Sequence, residues 1–129
     1  MLHQEITSII IAAFYDVYNT LGYGFLEKVY ENALILELRK RGLNVKQQFP
    51  IKVYYAGEIV GEYFADLLIN DLVILELKVV EEIIKAHEAQ LVNYLKATNL
   101  EVGLILNFGP KAEFKRKIFS NNRKPSLKG

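Results

Sequence analysis

The 129-residue chain predicts one α/β (α+β) domain: a mixed central sheet, built as an antiparallel meander plus a crossover strand and flanked by helices. Three observations carry this. Apolar residues recur at helical spacing over residues 4–41, strand-like runs separated by turn residues follow, and a further helical segment then leads into a short, wholly apolar strand. A chain of this length is one domain, and its 51% hydrophobic content is ordinary for a globular core.

The elements follow in order. Ile6, Ile9, Ile10, Ala13, Phe14, Val17, Tyr18 and Leu21 share helical spacing and predict an amphipathic helix over 4–20, broken by Gly22-Tyr23-Gly24. A second helix is expected over 25–41, with Val29, Tyr30, Ala33, Leu34 and Leu38 as its buried stripe and Gly42 as its stop. Residues 45–55 and 58–69 flank Ala56-Gly57 and read as a hairpin. Asn70-Asp71 marks another turn before a third strand over 72–80. Helical spacing returns over 82–98, followed by a buried strand over 102–107 that ends at Gly109-Pro110. Residues 114–119 read as an edge strand or a helical turn. The helix over 82–98 is a crossover that brings the fourth strand in parallel to one of the others.

Composition excludes several classes. There is no Cys, hence no disulfide framework, thiolate nucleophile or Cys-based zinc site. The apolar run at Ile9–Phe14 is far too short for a membrane span and lacks a basic flank, so a cytoplasmic protein without a membrane partner is expected. Neither a Gly-rich phosphate loop nor a G-x-S-x-G elbow is present. The net charge of +1 argues for no partner, but from Lys111 onward seven bases stand against one acid, Glu113. An acidic body with a basic C-terminus suits a nucleic-acid contact, and equally a solvated, frayed end.

Glu76 and Lys78 interrupt an apolar strand, where a lone buried charge is costly. They share a face, because side chains alternate along a strand. On the preceding strand Glu62, Phe64, Asp66 and Leu68 are expected to share a face. A two-residue turn at Asn70-Asp71 would place Asp66 and Glu76 on opposite sides of the sheet. A three-residue connection, Asn70-Asp71-Leu72, places them opposite one another on one side, and this register is expected. Paired carboxylates suit a hard divalent cation such as Mg²⁺, and Lys78 beside them suits an attacking water and a charged phosphorus. The bland alternative is charges at strand ends in solvent. On the second helix Glu27 and Glu31 are one turn apart, and either could reach over the sheet as a third acid. Gln90 and Tyr94 are also one turn apart, with His87 a turn earlier; His87 is expected to be a core residue with a satisfied polar tip.

Gly24-x-x-Glu27-x-x-Tyr30, Asp66, Glu76-x-Lys78 and Gln90-x-x-x-Tyr94, in this order, resemble the GxxExxY family of the PD-(D/E)XK nuclease-like superfamily. The resemblance spans roughly residues 5–119 and includes Leu106-Asn107-Phe108-Gly109; Ala65 stands where the superfamily's name has Pro. It implies a restriction-endonuclease-like core over 1–119, leaving 120–129 as a basic tail. It further implies Glu27, Asp66 and Glu76 as ligands of Mg²⁺ or Mn²⁺, Lys78 as the catalytic lysine, and Gln90 and Tyr94 as accessory catalytic residues. The function so implied is a metal-dependent nuclease acting on DNA. The competing readings are a non-catalytic nucleic-acid-binding or scaffolding module, and a homodimer joined through the apolar first helix.

Overall fold

Helix α1 (Gln4–Leu21) ends where Gly22 takes a positive φ of 73°, a conformation that costs glycine little and other residues much. After the loop comes α2 (Glu27–Lys40), then β1 (Val45–Tyr55), β2 (Glu58–Ile69), β3 (Val73–Lys78), α3 (Lys85–Lys96), β4 (Val102–Asn107), β5 (Glu113–Ile118) and a short 3₁₀ turn (Asn121–Arg123). The computed structural model describes residues 2–124.

The strands form one five-stranded sheet in the order β1-β2-β3-β4-β5. All neighbours are antiparallel except β3 and β4, which α3 joins in parallel. β3 and β4 are buried on both sides, and this explains why they are apolar apart from Glu76, Lys78 and the closing Asn107. Helices α1 and α2 cover one face, where Phe14, Leu34, Leu75, Leu104 and Phe108 belong to a single core. Helix α3 covers the other, with Leu68, Ile74, Leu91, Leu95 and Ile105 beneath it. It sits close to the sheet at Gly103, where an added Cβ would stand 2.6 Å from Leu91 Cδ1.

The long hairpin turns through Ala56 and Gly57, both at positive φ, the backbone that a tight two-residue hairpin needs. Halfway along, the hairpin changes sides. Val45, Leu67 and Ile69 belong to the α1/α2 core, whereas Ile51 and Ala65 belong to the α3 core. The switch falls at Gln48, which has a φ of 51°, and at Asp66; the β1–β2 ladder skips this pair. The simple alternation expected for Glu62, Phe64, Asp66 and Leu68 therefore fails, because the strand twists over at Asp66.

Several expectations change at their edges. Phe25 and Leu26, expected to open α2, belong to the loop before it, and α3 is shorter than 82–98 because Glu82 to Ile84 remain non-helical. β3 stops at Lys78. Residues 113–118 are an edge strand rather than a helical turn, so Lys115, Arg116 and Lys117 belong to the sheet rather than to a frayed end. Of the basic tail expected over 120–129, residues 125–129 lie outside the described residues. Ser120 to Lys124 dock instead: Lys124 Nζ donates to the carbonyls of Thr98 and Leu100 at 2.9 and 2.7 Å, closing the end of α3. The apolar stripe of α1 (Ile10, Ala13, Phe14, Val17) packs inside the domain.

Candidate functional site

The connection between β2 and β3 sets the geometry. Ile69 pairs with Val73, Leu68 with Ile74 and Leu67 with Leu75, so the connection is the three residues Asn70, Asp71 and Leu72. This is the expected register, and it carries Asp66 towards Glu76. The backbone ladder stops one position short. In its place Asp66 Oδ2 accepts the Leu77 N–H at 2.7 Å. The two strands part at that point, and a side chain takes the place of the next backbone partner.

Glu76 is 8% exposed, and its Oε1 has no hydrogen-bond partner. Burial pushes its carboxyl up to about 9; the neighbouring Asp66 charge and a hydrogen bond with Asp66 add to the rise, while Lys78 opposes it. The metal-free site thus holds a protonated Glu76 beside an Asp66 that already has a backbone donor. Glu27, in the first turn of α2, is exposed over the residue as a whole. Its carboxyl is nonetheless raised, first by partial burial and then by Asp66 and Glu31, with Lys78 lowering it. Lys78 therefore acts on acids from both the sheet and the helix, and among the described residues it forms no direct ion pair.

On α3, Gln90 Nε2 donates to Tyr94 Oη at 2.9 Å. Tyr94 is 6% exposed. Burial raises its hydroxyl pKa, the Glu76 charge raises it further, and Gln90 lowers it. The phenol thus reaches towards the acid pair from the opposite layer.

The remaining motif residues hold the frame. Gly24 has a φ of 120° in the loop before α2. Tyr30 is fully buried and stacks on Phe108 with ring centroids 4.6 Å apart. Its hydroxyl donates to the Gly22 carbonyl at 2.5 Å and accepts the Phe25 N–H at 3.2 Å. Tyr30 therefore anchors the loop that delivers Glu27. Glu31 is buried and committed to Lys28 and Gln47 at 3.2 and 3.1 Å; of the two acids on this face, Glu27 is the one left over. His87 is a helix cap rather than a core residue, its Nδ1 accepting the Ile84 N–H at 3.2 Å.

Asn107, which carried no assigned role in the sequence reading, clamps the end of β3. Its Oδ1 accepts from Val80 and Gly109, both at 3.0 Å, and its Nδ2 donates to Val80 O at 2.9 Å. Gly109 lies so close that an added Cβ would stand 1.9 Å from the Val80 carbonyl oxygen. The detectable signal was an Asn closing an otherwise apolar strand.

Among the described residues, no three His, Asp or Glu side chains stand close enough to hold a metal ion. The structure brings Asp66 and Glu76 together and leaves Glu27 at a distance where it feels Asp66 electrostatically. The pair still fits a small hard cation. Mg²⁺ takes one or two carboxylates and keeps several waters, and the unpartnered Glu76 Oε1 is a buried acceptor, which ordinarily finds a partner.

Beside the acids, and not containing them, lies a cleft of about 740 Å³ between the hairpin and α3. Lys52, Val53, Tyr54 and Tyr63 line one side; Ala86, His87, Ala89, Gln90, Asn93, Tyr94, Lys96 and Ala97 line the other. The sequence reading missed the hairpin residues, because which side chains a curling hairpin brings over a helix is a tertiary matter.

A protein-family model described as PD-(D/E)XK nuclease superfamily matches residues 4–117. No curated protein matches the chain. Among solved structures, the crystal structure of SSO0001 superposes with a TM-score of 0.53 at 14% identity, covering 90% of this chain and 58% of that one. This chain therefore spans little more than half of that protein, and the likeness concerns the fold alone.

Proposed function

This chain belongs to the PD-(D/E)XK nuclease superfamily, and from that premise we propose that it is a divalent-metal-dependent nuclease of the GxxExxY group, hydrolysing phosphodiester bonds in DNA. The observation that carries the reading is the buried Glu76 beside Asp66, with an acceptor oxygen left unpartnered. A protein retains such a pair at a cost, and a cation shared between the two carboxylates removes that cost.

On this reading Asp66 and Glu76 hold Mg²⁺ or Mn²⁺, with Glu27 completing the set from the helix side. When bound, such an ion lowers the pKa of a coordinated water and polarises a phosphate oxygen. Lys78 orients the attacking water and offsets negative charge gathering at phosphorus. Gln90 occupies the acceptor side of Tyr94 Oη, which leaves the phenol proton free to donate to a phosphate oxygen.

Purified protein is incubated with single-stranded, duplex and branched DNA, with Mg²⁺ or Mn²⁺, and calorimetry follows the metal alone. The expected result is metal-dependent cleavage, lost in Asp66→Ala and Lys78→Ala, and metal binding lost in Glu76→Ala. Cleavage that survives in Asp66→Ala would have another source.

The second reading, a non-catalytic nucleic-acid-binding module, draws on the bases from Lys111 to Lys128, the last of which lies outside the described residues. Its support is thinned by the structure: Lys117 pairs with Glu88 at 2.5 Å, Arg116 meets the Leu2 carbonyl, and Lys124 caps α3. Salt-sensitive DNA binding without metal uptake would favour it.

A further inference from the structure

Apart from Gln90 and Tyr94, the cleft beside the acid pair has no lining residue with a role in the chemistry above, and its lining is selective. It is walled by tyrosines, carries Lys52, Lys96 and His87, and includes no carboxylate. Neither Lys52 nor Lys96 pairs with an acid among the described residues; the Lys96 ammonium stands 5.4 Å from the Phe119 ring centroid. At about 740 Å³ the cleft falls in the roughly 300–1,000 Å³ range of sites that enclose a small organic group. Tyr63 leaves 47% of its surface in water, and its ring stands 5.7 Å from that of Tyr94 at an angle of 42°. The two rings form an open wedge rather than a closed stack. Tyr94 is shared, since its hydroxyl also feels the acid pair.

A planar, apolar group flanked by anions complements such a surface. Every nucleobase has a face that stacks on an aromatic ring, and the phosphates either side of it suit two ammonium groups. A base still paired in a duplex cannot enter a cleft of this size without leaving its partner. We infer that this cleft receives an unpaired base of single-stranded DNA, stacked on Tyr63, with Lys52 and Lys96 on the flanking phosphates. The strand is thereby led past Tyr94 to the acids. The inference rests on the nuclease reading for its choice of DNA and deepens it: the substrate is a single strand, a flap or a frayed end.

The test measures binding alone, in EDTA, by anisotropy of a labelled oligothymidylate with the full chain. Single-stranded DNA is expected to bind at least about 10-fold tighter than a blunt duplex. Tyr63→Ala is expected to weaken it by about 10-fold, and Tyr63→Phe to keep it. A Lys52→Ala/Lys96→Ala double variant should flatten the logarithmic salt dependence by about 1.4, the share of two phosphate contacts on a single strand. Equal or tighter duplex binding overturns the inference, as does unchanged affinity in Tyr63→Ala. An RNA strand binding more tightly than DNA of the same sequence overturns the choice of DNA. Should Tyr63→Ala not fold, an oligonucleotide with abasic positions is applied to the unaltered protein, and undiminished binding overturns the inference. Because no metal is present, failure here is distinct from failure of the nuclease reading, which would show as intact binding without cleavage when Mg²⁺ is added.

Discussion

The two faces of the sheet are finished differently. On the α1/α2 side, the buried Tyr30 is tied to the loop at Gly22 and Glu31 to Lys28 and Gln47, while Arg116 Nε is left without a partner among the described residues. On the α3 side a single twelve-residue helix covers only part of the sheet. Tyr63 remains exposed there, and Glu76 is buried without a full set of partners. Among the described residues each side holds one buried polar atom without a partner, Arg116 Nε towards α1 and Glu76 Oε1 towards α3, but only Glu76 has a second carboxylate beside it. The candidate site therefore lies where the second layer is incomplete, and α1 and α2 form the more closed layer.

Substitutions of similar size should reveal this asymmetry. Phe108 contacts both Phe14 and Tyr30 in the closed layer, and Phe108→Ala is expected to cost about 3–5 kcal/mol in urea unfolding. Lys78→Ala should reduce metal-dependent cleavage by about 10²–10³-fold and shift the unfolding midpoint little. Comparable loss of stability in the two variants would erase the contrast.

A third measurement sharpens the comparison through pH. In the metal-free fold Glu76 keeps its proton up to about 9, whereas the unfolded group ionises near 4.5. Between those values the unfolded chain binds fewer protons. Stability is therefore greatest below the lower value and falls as pH rises through the window, by up to about 1.4 kcal/mol per unit. Glu76→Gln should flatten that slope. Metal affinity should run the opposite way, rising with pH as the proton to be displaced becomes easier to lose. The smallest effect is expected at the open side: Tyr63→Ala should change stability by less than about 0.5 kcal/mol in the same urea titration.

Much of the frame was legible because it depends on neighbours in sequence. Turn residues at Ala56-Gly57 and Asn70-Asp71 delimit the strands, and the largely apolar runs of β3 and β4 mark the centre of the sheet. Even the pairing of Asp66 with Glu76 could be deduced from a loop length. What escaped depends on orientation across layers. Glu27 stands off from the other two acids because the tilt of α2 over the sheet leaves no trace in residue order. The side change at Gln48 and Asp66 was hidden because a glutamine at positive φ carries no turn signature. His87 was taken for a core residue because helical spacing cannot separate a buried position from a cap one turn earlier. The bases from Lys115 to Lys117 looked like a loose end because charge masked the alternation of an edge strand.

The connection Asn70-Asp71-Leu72 carries a consequence for sequence change. β3 carries apolar residues on both sides, Val73, Leu75 and Leu77 towards α1 and α2 and Ile74 towards α3, so hydrophobic burial alone fixes its phase only weakly. Loop length, not oiliness, keeps the strand in phase. Deleting or inserting a single residue there would send Glu76 to the α1/α2 side while preserving every apolar residue of the strand, yielding a folded protein with its acids out of step. Length variants that retain the site should therefore differ by even numbers of residues at this corner.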